Sequence, residues 1–597
     1  MTKRTGSETG AGREQILRRE DWLIGRPDAA HAPADSLTVA MCYPETYGLG
    51  MSNLGFQTAF RSFAEHPRVH CERAFFDAPR ASDEGPRRPP GMPEPANEEA
   101  SMGEGAAGRG VPEGAESVAA AGGGSSLETG TPLCDFDLLA FSVSYESDYV
   151  GLARMLAAAG VPVLASDRSR DDPIVIMGGI CALMNPEPVA HFLDAVAVGD
   201  ARRLCPVIAD SLLESRESDR DARLSALAGL AGLYVPSLYD VERDGDGRVT
   251  GFSPRRGAPL PVVAAWCDTS AAAETCVVSS DAHFGDTFLT ELSTGCARRC
   301  KYCAAGHVYH PARFHDASGV ADRVRELPNS VRRVGLVSAA LADHPGAVDL
   351  LEDLIDVGAE VTISSVHADR VDERLAGLLA GAGARTVTLA PETGSERLRG
   401  LIGKPVADDV LLSAARTLGE AGIETLKLYF MVGLPGEDER DVEGIPVLAR
   451  DLLAAFTSKN AAGRMTVGIS AFVPKPRTPF QWLPMEREEL LRGKLARLRR
   501  ALAAGGRVAV TTAGPREARR EGVLARGGRE LSGPLLVHAI EGVPWRAALR
   551  RKGVEPGDIV DRLRDPEEVF PWEIIELGVP RAKLLASLRE TGALYDL

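Results

Sequence analysis

The rhythm of apolar and polar positions divides this chain into two α/β halves. Leu37–Tyr43 is an unbroken apolar run of the buried-strand type. A glycine-rich turn, Pro44–Gly55, follows, and apolar residues then recur at helical spacing through Phe60 and Phe63. The same rhythm returns at Phe136–Ser144, with a helix near Tyr149–Ala159. It continues through runs at Val161–Ala165, Ile174–Gly179 and Ala195–Gly199, and Asp200 opens a helix reaching about Leu213. Strands alternating with helices predict a parallel sheet covered on both faces. Its ligand-facing loops would be Tyr43–Asn53, Ser142–Tyr149, Gly178–Cys181 and Gly199–Asp200.

In the second half, six strand-like runs alternate with helical patterns. The runs are Asp286–Ser293, Arg333–Ser338, Glu360–Val366, Arg385–Ala390, Glu424–Val432 and Arg464–Phe472. Six β/α units predict a partial (β/α) barrel with its working residues at the carboxyl ends of the strands. The resulting organisation is a polar tail at 1–35, a first α/β domain at 36–213, a connector at 214–282, a barrel at 283–510 and a mostly helical module at 511–597. Two short strands, Tyr234–Tyr239 and Val262–Trp266, and a hairpin turn at Asp244–Arg248 are expected in the connector. Residues 80–130 are rich in Gly, Ala, Pro, Glu and Ser, and read as a disordered insertion in the first domain.

Composition narrows the class. With 597 residues, 44% hydrophobic and 25% charged, the chain is an ordinary multi-domain globular protein. A net charge of −16 argues against a broad nucleic-acid footprint. No apolar run reaches the ~18 residues of a membrane span, and the first residues do not resemble a signal peptide. Ten cysteines are too sparse for a secreted disulfide scaffold, so a reducing cytoplasm is expected. Cys42, Cys71, Cys134, Cys181 and Cys205 are scattered and read as core residues.

Three other cysteines are not scattered. Cys296, Cys300 and Cys303 lie within eight residues, in a loop that follows the first barrel strand and the Thr294-Gly295 turn. Such a loop can wrap one face of a compact metal centre. Three thiolates on a four-iron cluster leave one iron open. A structural zinc knuckle is the alternative; it needs a fourth ligand, for which His307 and His310 are at hand.

The CxxxCxxC spacing, with Tyr302 before the last cysteine, resembles the signature of the radical S-adenosylmethionine superfamily. Ala390-Pro-Glu392-Thr-Gly-Ser-Glu396 and Gly433-Leu-Pro-Gly-Glu437 resemble its strand-end elements, in the order the superfamily has them. The first half is similar to the Rossmann-like cobalamin-binding domain found in one class of these enzymes. Gly178-Gly179 matches that domain's double glycine, and Gly199-Asp200 its Gly-Glu turn. The Asp-x-His-x-x-Gly motif, whose His would ligate cobalt, is absent from 37–213. The resemblance spans about 35–79 and 126–597.

The resemblance implies an α/β fold: a Rossmann-like domain, a TIM-like radical barrel and a small C-terminal module. It implies a [4Fe–4S] cluster on Cys296, Cys300 and Cys303, and S-adenosylmethionine beside Tyr302, with Glu392 on its ribose hydroxyls and Lys404 near its carboxylate. Ser364, Ser365, His367 and Arg370, at the end of the third strand, could also reach that ligand, and Gly178 and Gly179 would border cobalamin. The implied reaction is reductive cleavage of S-adenosylmethionine to a 5′-deoxyadenosyl radical that abstracts a substrate hydrogen, with cobalamin-dependent methyl transfer as one outcome. The implied partners are the substrate and a reductant such as flavodoxin or ferredoxin. A methylthiotransferase-like modifier of RNA or protein and a non-catalytic iron–sulfur scaffold are the alternatives. The first would need a second cysteine triplet and an RNA-binding β-barrel at the end of the chain, and the sequence shows neither.

Overall fold

A computed structural model describes residues 6–25, 35–76, 123–267, 271–328, 331–503 and 507–592. Its first half is built on a six-stranded sheet. The strands are β1 (Leu37–Tyr43), β2 (Val69–Phe75), β3 (Leu138–Ser142), β4 (Ile174–Gly178), β5 (Ala195–Ala197) and β6 (Leu233–Tyr234), in the order β2-β1-β3-β4-β5-β6. All pairs are parallel except β5–β6. Val39, Leu138, Leu139, Ile174 and Val175 are fully buried, as expected of a sheet covered on both faces.

Four expectations need correction here. Val161–Ala165 forms no strand: Pro162 lacks the N–H that a ladder needs, and the segment runs into a 3-10 turn at Ala165–Asp167. The strand at Val69–Phe75 is additional. Its centre carries Glu72 and Arg73, which hide its pattern, yet both are buried. The segment read as a tail holds a helix, Gly6–Leu17, and a strand, Glu20–Trp22, paired antiparallel with Val277–Ser279. Cys134 is exposed, whereas Cys42, Cys71, Cys181 and Cys205 are buried.

One buried ion triad ties these pieces together. Arg73 is fully buried and donates to Glu20 at 2.8 Å and to Glu128 at 2.6 Å. Its guanidinium also lies 4.9 Å from the centre of the Trp22 ring. Most of the expected insertion, its residues 80–122, lies outside the described residues, but its last part does not: Ser126, Leu127 and Glu128 are buried against the sheet.

The second half contains seven parallel strands: β7 (Thr287–Glu291), β8 (Arg333–Val337), β9 (Glu360–Ile363), β10 (Thr386–Glu392), β11 (Thr425–Val432), β12 (Arg464–Ala471) and β13 (Val508–Thr512). They form two sheets, β7-β8-β9 and β10-β11-β12-β13. Where the sheets meet, the N–H of Val366 donates to the carbonyl of Thr388 at 3.0 Å. Six strands lie where the sequence predicts them. β13 is additional and straddles residue 510, the expected boundary of the following module. β11 shows why the pattern was readable: Leu426, Leu428, Phe430 and Val432 are buried on one face. Lys427, Tyr429 and Met431 occupy the other, with the Lys427 ammonium 5.1 Å from the centre of the Tyr429 ring.

In the connector, the expected turn at Asp244 joins the antiparallel hairpin Tyr239–Arg243 and Val249–Pro254. Beyond β13 the described chain is helical, at Pro515–Arg526, Ser532–Ile540, Trp545–Arg551, Pro556–Val560 and Arg581–Arg589. A two-residue strand, Ile575–Glu576, pairs with Val262–Val263. No helix among the described residues is long and apolar enough to cross a membrane.

The triad gives a prediction. Replacing Glu128 with Ala leaves the buried Arg73 with one counter-charge, and should cost roughly 3–5 kcal/mol in urea unfolding of the full chain.

Candidate active site

The cysteine loop leaves the end of β7 through a two-residue strand, Ser293–Thr294, paired with Arg313–Phe314. Gly295 then turns with φ +82°, and a Cβ there would lie 2.3 Å from the carbonyl oxygen of Tyr309, so only glycine fits. Arg299 also adopts a left-handed conformation, φ +54°. The loop is closed internally. Cys296 N–H donates to the Ala305 carbonyl at 3.2 Å, Cys303 N–H to the Cys300 carbonyl at 3.1 Å, and His307 Nε2 to that same carbonyl at 3.1 Å. Burial holds the His307 imidazole down at about 4, so it is neutral and serves as a clamp on the loop.

The loop is also braced from outside. Lys301 N–H donates to the Ile402 carbonyl at 2.9 Å, and the Lys301 carbonyl accepts from Phe480 N–H at 3.2 Å. Arg298 grips Asp343 through two 2.8 Å bonds and Asp369 through one of 2.7 Å, and Arg370 donates to Asp343 at 2.8 Å. The loop is thereby tied to the segments that follow β8 and β9. Arg298 is thus a tether of the loop, and Lys301 is buried.

Glu392 ends β10 after a shift in register and sits at φ +69°, an uncommon place for a residue with a side chain. Its Oε1 accepts from Lys404 Nζ at 2.8 Å, and its carboxylate also accepts from the Tyr302 hydroxyl. The turn after it packs against the helix Glu439–Thr457. A Cβ on Gly394 would meet the backbone N of Ile445 at 2.3 Å, and Ser395 donates to Asp441. Burial pushes Lys404 down, but Glu392, with Cys300 and Cys303 beyond it, outweighs burial and holds the ammonium above its usual range.

The structure thus gathers Cys300, Cys303, Tyr302, Glu392 and Lys404 into one partly buried cluster. Ser364 stands apart: it is exposed, and its hydroxyl donates to the Ser338 carbonyl at 2.7 Å. His367 faces the cluster more closely, and burial, with Lys404 and Arg298 adding to it, pushes its imidazole down to about 4.

The donor set suits an iron–sulfur centre. Burial pushes the Cys300 thiol up to about 12, and the Cys303 thiol up as well, so a cationic centre is needed to keep both as thiolates. Cys303 already accepts hydrogen bonds from the backbone N–H groups of Ala305 and Gly306. No three Cys, His, Asp or Glu side chains among the described residues are gathered about a single-ion position.

A cavity of about 390 Å³ lies between the two halves. One wall is the carboxyl end of the first sheet, including Ser142, Gly178, Gly179 and Asp200; the other includes Thr294, Gly295 and Tyr309 beside the cysteine loop. Gly179 takes φ +96°, and Asp200 caps the helix Ala201–Glu214 by accepting from Arg202 N–H at 2.9 Å. The cavity runs inward as an apolar slot between Ala140 and Ile176 of the sheet and the helices Leu54–Ala64 and Ala201–Glu214. Sequence reasoning missed Tyr309, Trp266 and Arg313 on its rim. Trp266 and Tyr309 meet edge-on with 6.1 Å between ring centroids, and Arg313 lies 5.3 Å from the Trp266 ring centre. Only their meeting in space marks them.

Two outcomes follow. Lys404→Met should destabilise the protein by roughly 3 kcal/mol by leaving the Glu392 carboxylate buried and unpaired, and adding Glu392→Gln should recover at least half of that in a double-mutant cycle. His367 has a folded value of about 4 against an unfolded value near 6.5, so the unfolded chain takes up its proton first. Its contribution to stability is therefore complete above pH ~6.5 and lost as the pH falls toward 4, and His367→Gln should flatten unfolding curves in that window.

Parts of the chain are similar to known proteins. Residues 290–446 match the model described as the radical SAM superfamily, and residues 118–236 match that described as radical SAM proteins, N-terminal. An uncharacterized protein of Methanocaldococcus jannaschii is 28% identical over 363 residues, covering 60% of this chain and 70% of that protein. An uncharacterized protein of Methanopyrus kandleri is 28% identical over 219 residues, covering 32% of this chain and 39% of its own length. Among solved structures, the cobalamin-dependent S-adenosylmethionine radical enzyme OxsB with aqua-cobalamin bound aligns at 12% identity and a TM-score of 0.40, over 69% of this chain and 52% of its own. The chain thus spans about half of that enzyme. The stretch that matches the radical SAM superfamily model, residues 290–446, begins just before the cysteine loop and reaches past Glu392 and Lys404.

Proposed function

We propose that this protein is a radical S-adenosylmethionine enzyme in which Cys296, Cys300 and Cys303 hold a [4Fe–4S] cluster and Tyr302, Glu392 and Lys404 seat S-adenosylmethionine. The observation that carries this reading is the packing of the cysteine loop against the Tyr302–Glu392–Lys404 cluster. When bound and reduced, these cofactors supply a 5′-deoxyadenosyl radical able to abstract a hydrogen atom from a substrate. The protein's part is to bind, orient and exclude water.

Each residue has a role fitted to its chemistry. Glu392 is an acceptor for a ribose diol, and its left-handed backbone fixes where the carboxylate stands. Lys404 supplies a permanent ammonium for a carboxylate, and on binding exchanges part of its bond to Glu392 for the ligand. Tyr302 offers a ring face for adenine. Arg298 and His307 keep the loop in shape from either side.

The finer part of the proposal concerns the cavity between the halves. Its apolar slot, lined by Gly178 and Gly179 and with Tyr309 at its rim, would hold cobalamin. With cobalamin bound there, the enzyme would act as a cobalamin-dependent radical methyltransferase, served by a one-electron reductant of the flavodoxin or ferredoxin kind.

Anaerobic reconstitution with iron and sulfide, followed by reduction in the presence of S-adenosylmethionine, should yield 5′-deoxyadenosine; none from a fully loaded cluster would sink the reading. Replacing Cys296, Cys300 and Cys303 together with Ala should remove the cluster's visible absorbance. Full-length protein incubated with hydroxocobalamin and desalted should keep a corrinoid spectrum. Ala140→Phe, which fills the slot, should abolish that spectrum and leave the iron–sulfur absorbance unchanged.

A further inference from the structure

A second cavity lies away from the cysteine loop. It measures about 1110 Å³ and lies between the hairpin Tyr239–Pro254 and the helical residues beyond 526. Two arginines in its wall, Arg526 and Arg564, are 1% and 4% exposed. A buried guanidinium is normally matched by a carboxylate, because taking a charge out of water costs several kcal/mol. Neither donates a hydrogen bond to a carboxylate, although the Arg564 guanidinium lies 5.2 Å and 5.5 Å from the ring centres of Phe570 and Trp572. Arg526 donates to the carbonyls of Leu483 at 2.7 Å and Gln481 at 3.2 Å. Arg564 donates to the carbonyls of Arg526 and Ile559, both at 3.2 Å, and its nearest carboxylate, Glu568, is 3.8 Å away. The Nε of each is buried with no acceptor.

The carboxylates around the cavity do not offer a remedy. Glu568 is held by two 2.6 Å bonds from Arg562, and Glu530 pairs with Arg243 at 2.9 Å. Glu555 and Asp558 stand at the exposed edge. Further positive charge lines the opening, from Arg248, which pairs with Asp246 at 3.7 Å, and from Lys552, which has no carboxylate within 4 Å among the described residues. Burial pushes the Arg526 guanidinium down, and its neighbours Arg564 and Arg562 add to the effect, so the site gains from a negative charge placed there.

We infer that this cavity binds a phosphate-bearing anion, with Arg526 and Arg564 as its buried donors and Lys552 and Arg248 at the mouth. The unused Nε groups are hydrogen-bond donors of the kind that a tetrahedral oxyanion accepts. The volume exceeds that of a bare phosphate and suits a ligand of nucleotide size. Val249, Ile559, Val569 and Pro571 offer apolar wall for the remainder of such a molecule. Arg526 clamps the carbonyls of Gln481 and Leu483, at the end of the Pro479–Trp482 turn whose Phe480 braces the cysteine loop. The inference does not depend on the radical chemistry.

The test is isothermal titration of the full-length chain in chloride buffer with inorganic phosphate, pyrophosphate and adenosine monophosphate. At least one should bind saturably with one site per chain. Arg564→Gln should weaken that binding tenfold or more, the loss expected for a charged hydrogen-bond donor. Because Arg564→Gln could disturb folding, Lys552→Glu, on the exposed rim, provides a second variant: it should weaken binding severalfold while leaving the thermal midpoint in anion-free buffer unchanged. Tighter binding of the nucleotide than of phosphate would identify an organic ligand, and tightest binding of pyrophosphate a polyphosphate. No saturable heat from any probe up to about 10 mM, or equal affinity in wild type and both variants, would overturn the inference.

Discussion

The peptide unit of Lys301 is the point on which the proposed active site depends. A loop with three cysteines, two glycines and a left-handed arginine has little preference of its own, and fixing each residue costs about 1–2 kcal/mol of backbone entropy. The two hydrogen bonds of Lys301, to Ile402 on one side and from Phe480 on the other, seat the loop between two segments about one hundred and two hundred residues away in sequence (on the order of the barrel's length). Through Ile402 the loop is placed beside Lys404, and through Phe480 beside the aromatic cluster of Trp482, Phe570 and Trp572. The cysteines are thus positioned by packed elements, which is what a preorganised site requires.

Glu392 shows the cost of that arrangement. A left-handed glutamate at a break in strand register is strained by on the order of 1–3 kcal/mol. It persists because Lys404, Tyr302 and the docking of the following turn onto the helix Glu439–Thr457 determine it from several directions. Such residues cluster where ligands bind, since a backbone held off its preferred angles cannot drift when the ligand leaves.

What the sequence reveals follows from how locally each element is determined. The strands β7–β12 are readable because their apolar positions recur at the strand period or run unbroken, and the cysteine spacing is local by nature. Glu392 and Lys404 could be placed together only through resemblance, and the structure brings them to 2.8 Å. Val69–Phe75 is obscured because its buried charges, Glu72 and Arg73, mimic a surface segment, and their partners lie far away in the chain. Glu20–Trp22 is too short to show a period. Val161–Ala165 misleads in the opposite sense: its apolar residues pack without a ladder because Pro162 interrupts the donors. The tether from Arg298 to Asp343 and the meeting of Tyr309 with Trp266 depend on the closure of the whole chain, and no window of sequence contains both partners.

The ion triad around Arg73 has a consequence for how this protein can vary. The chain departs from the first sheet just after Arg73 and returns just before Glu128. These two residues are joined by side chain and backbone, with Leu127 N–H donating to the Arg73 carbonyl at 2.6 Å. Exit and entry therefore form a single sealed seam. A segment spliced into such a seam can lengthen or shorten without shifting the strands on either side, since doubling a flexible loop costs only about 0.6 kcal/mol. The seam makes this position a natural socket, where whole modules could be exchanged in evolution, or grafted in the laboratory, without touching the cavity between the halves, whose walls include no residue of β2.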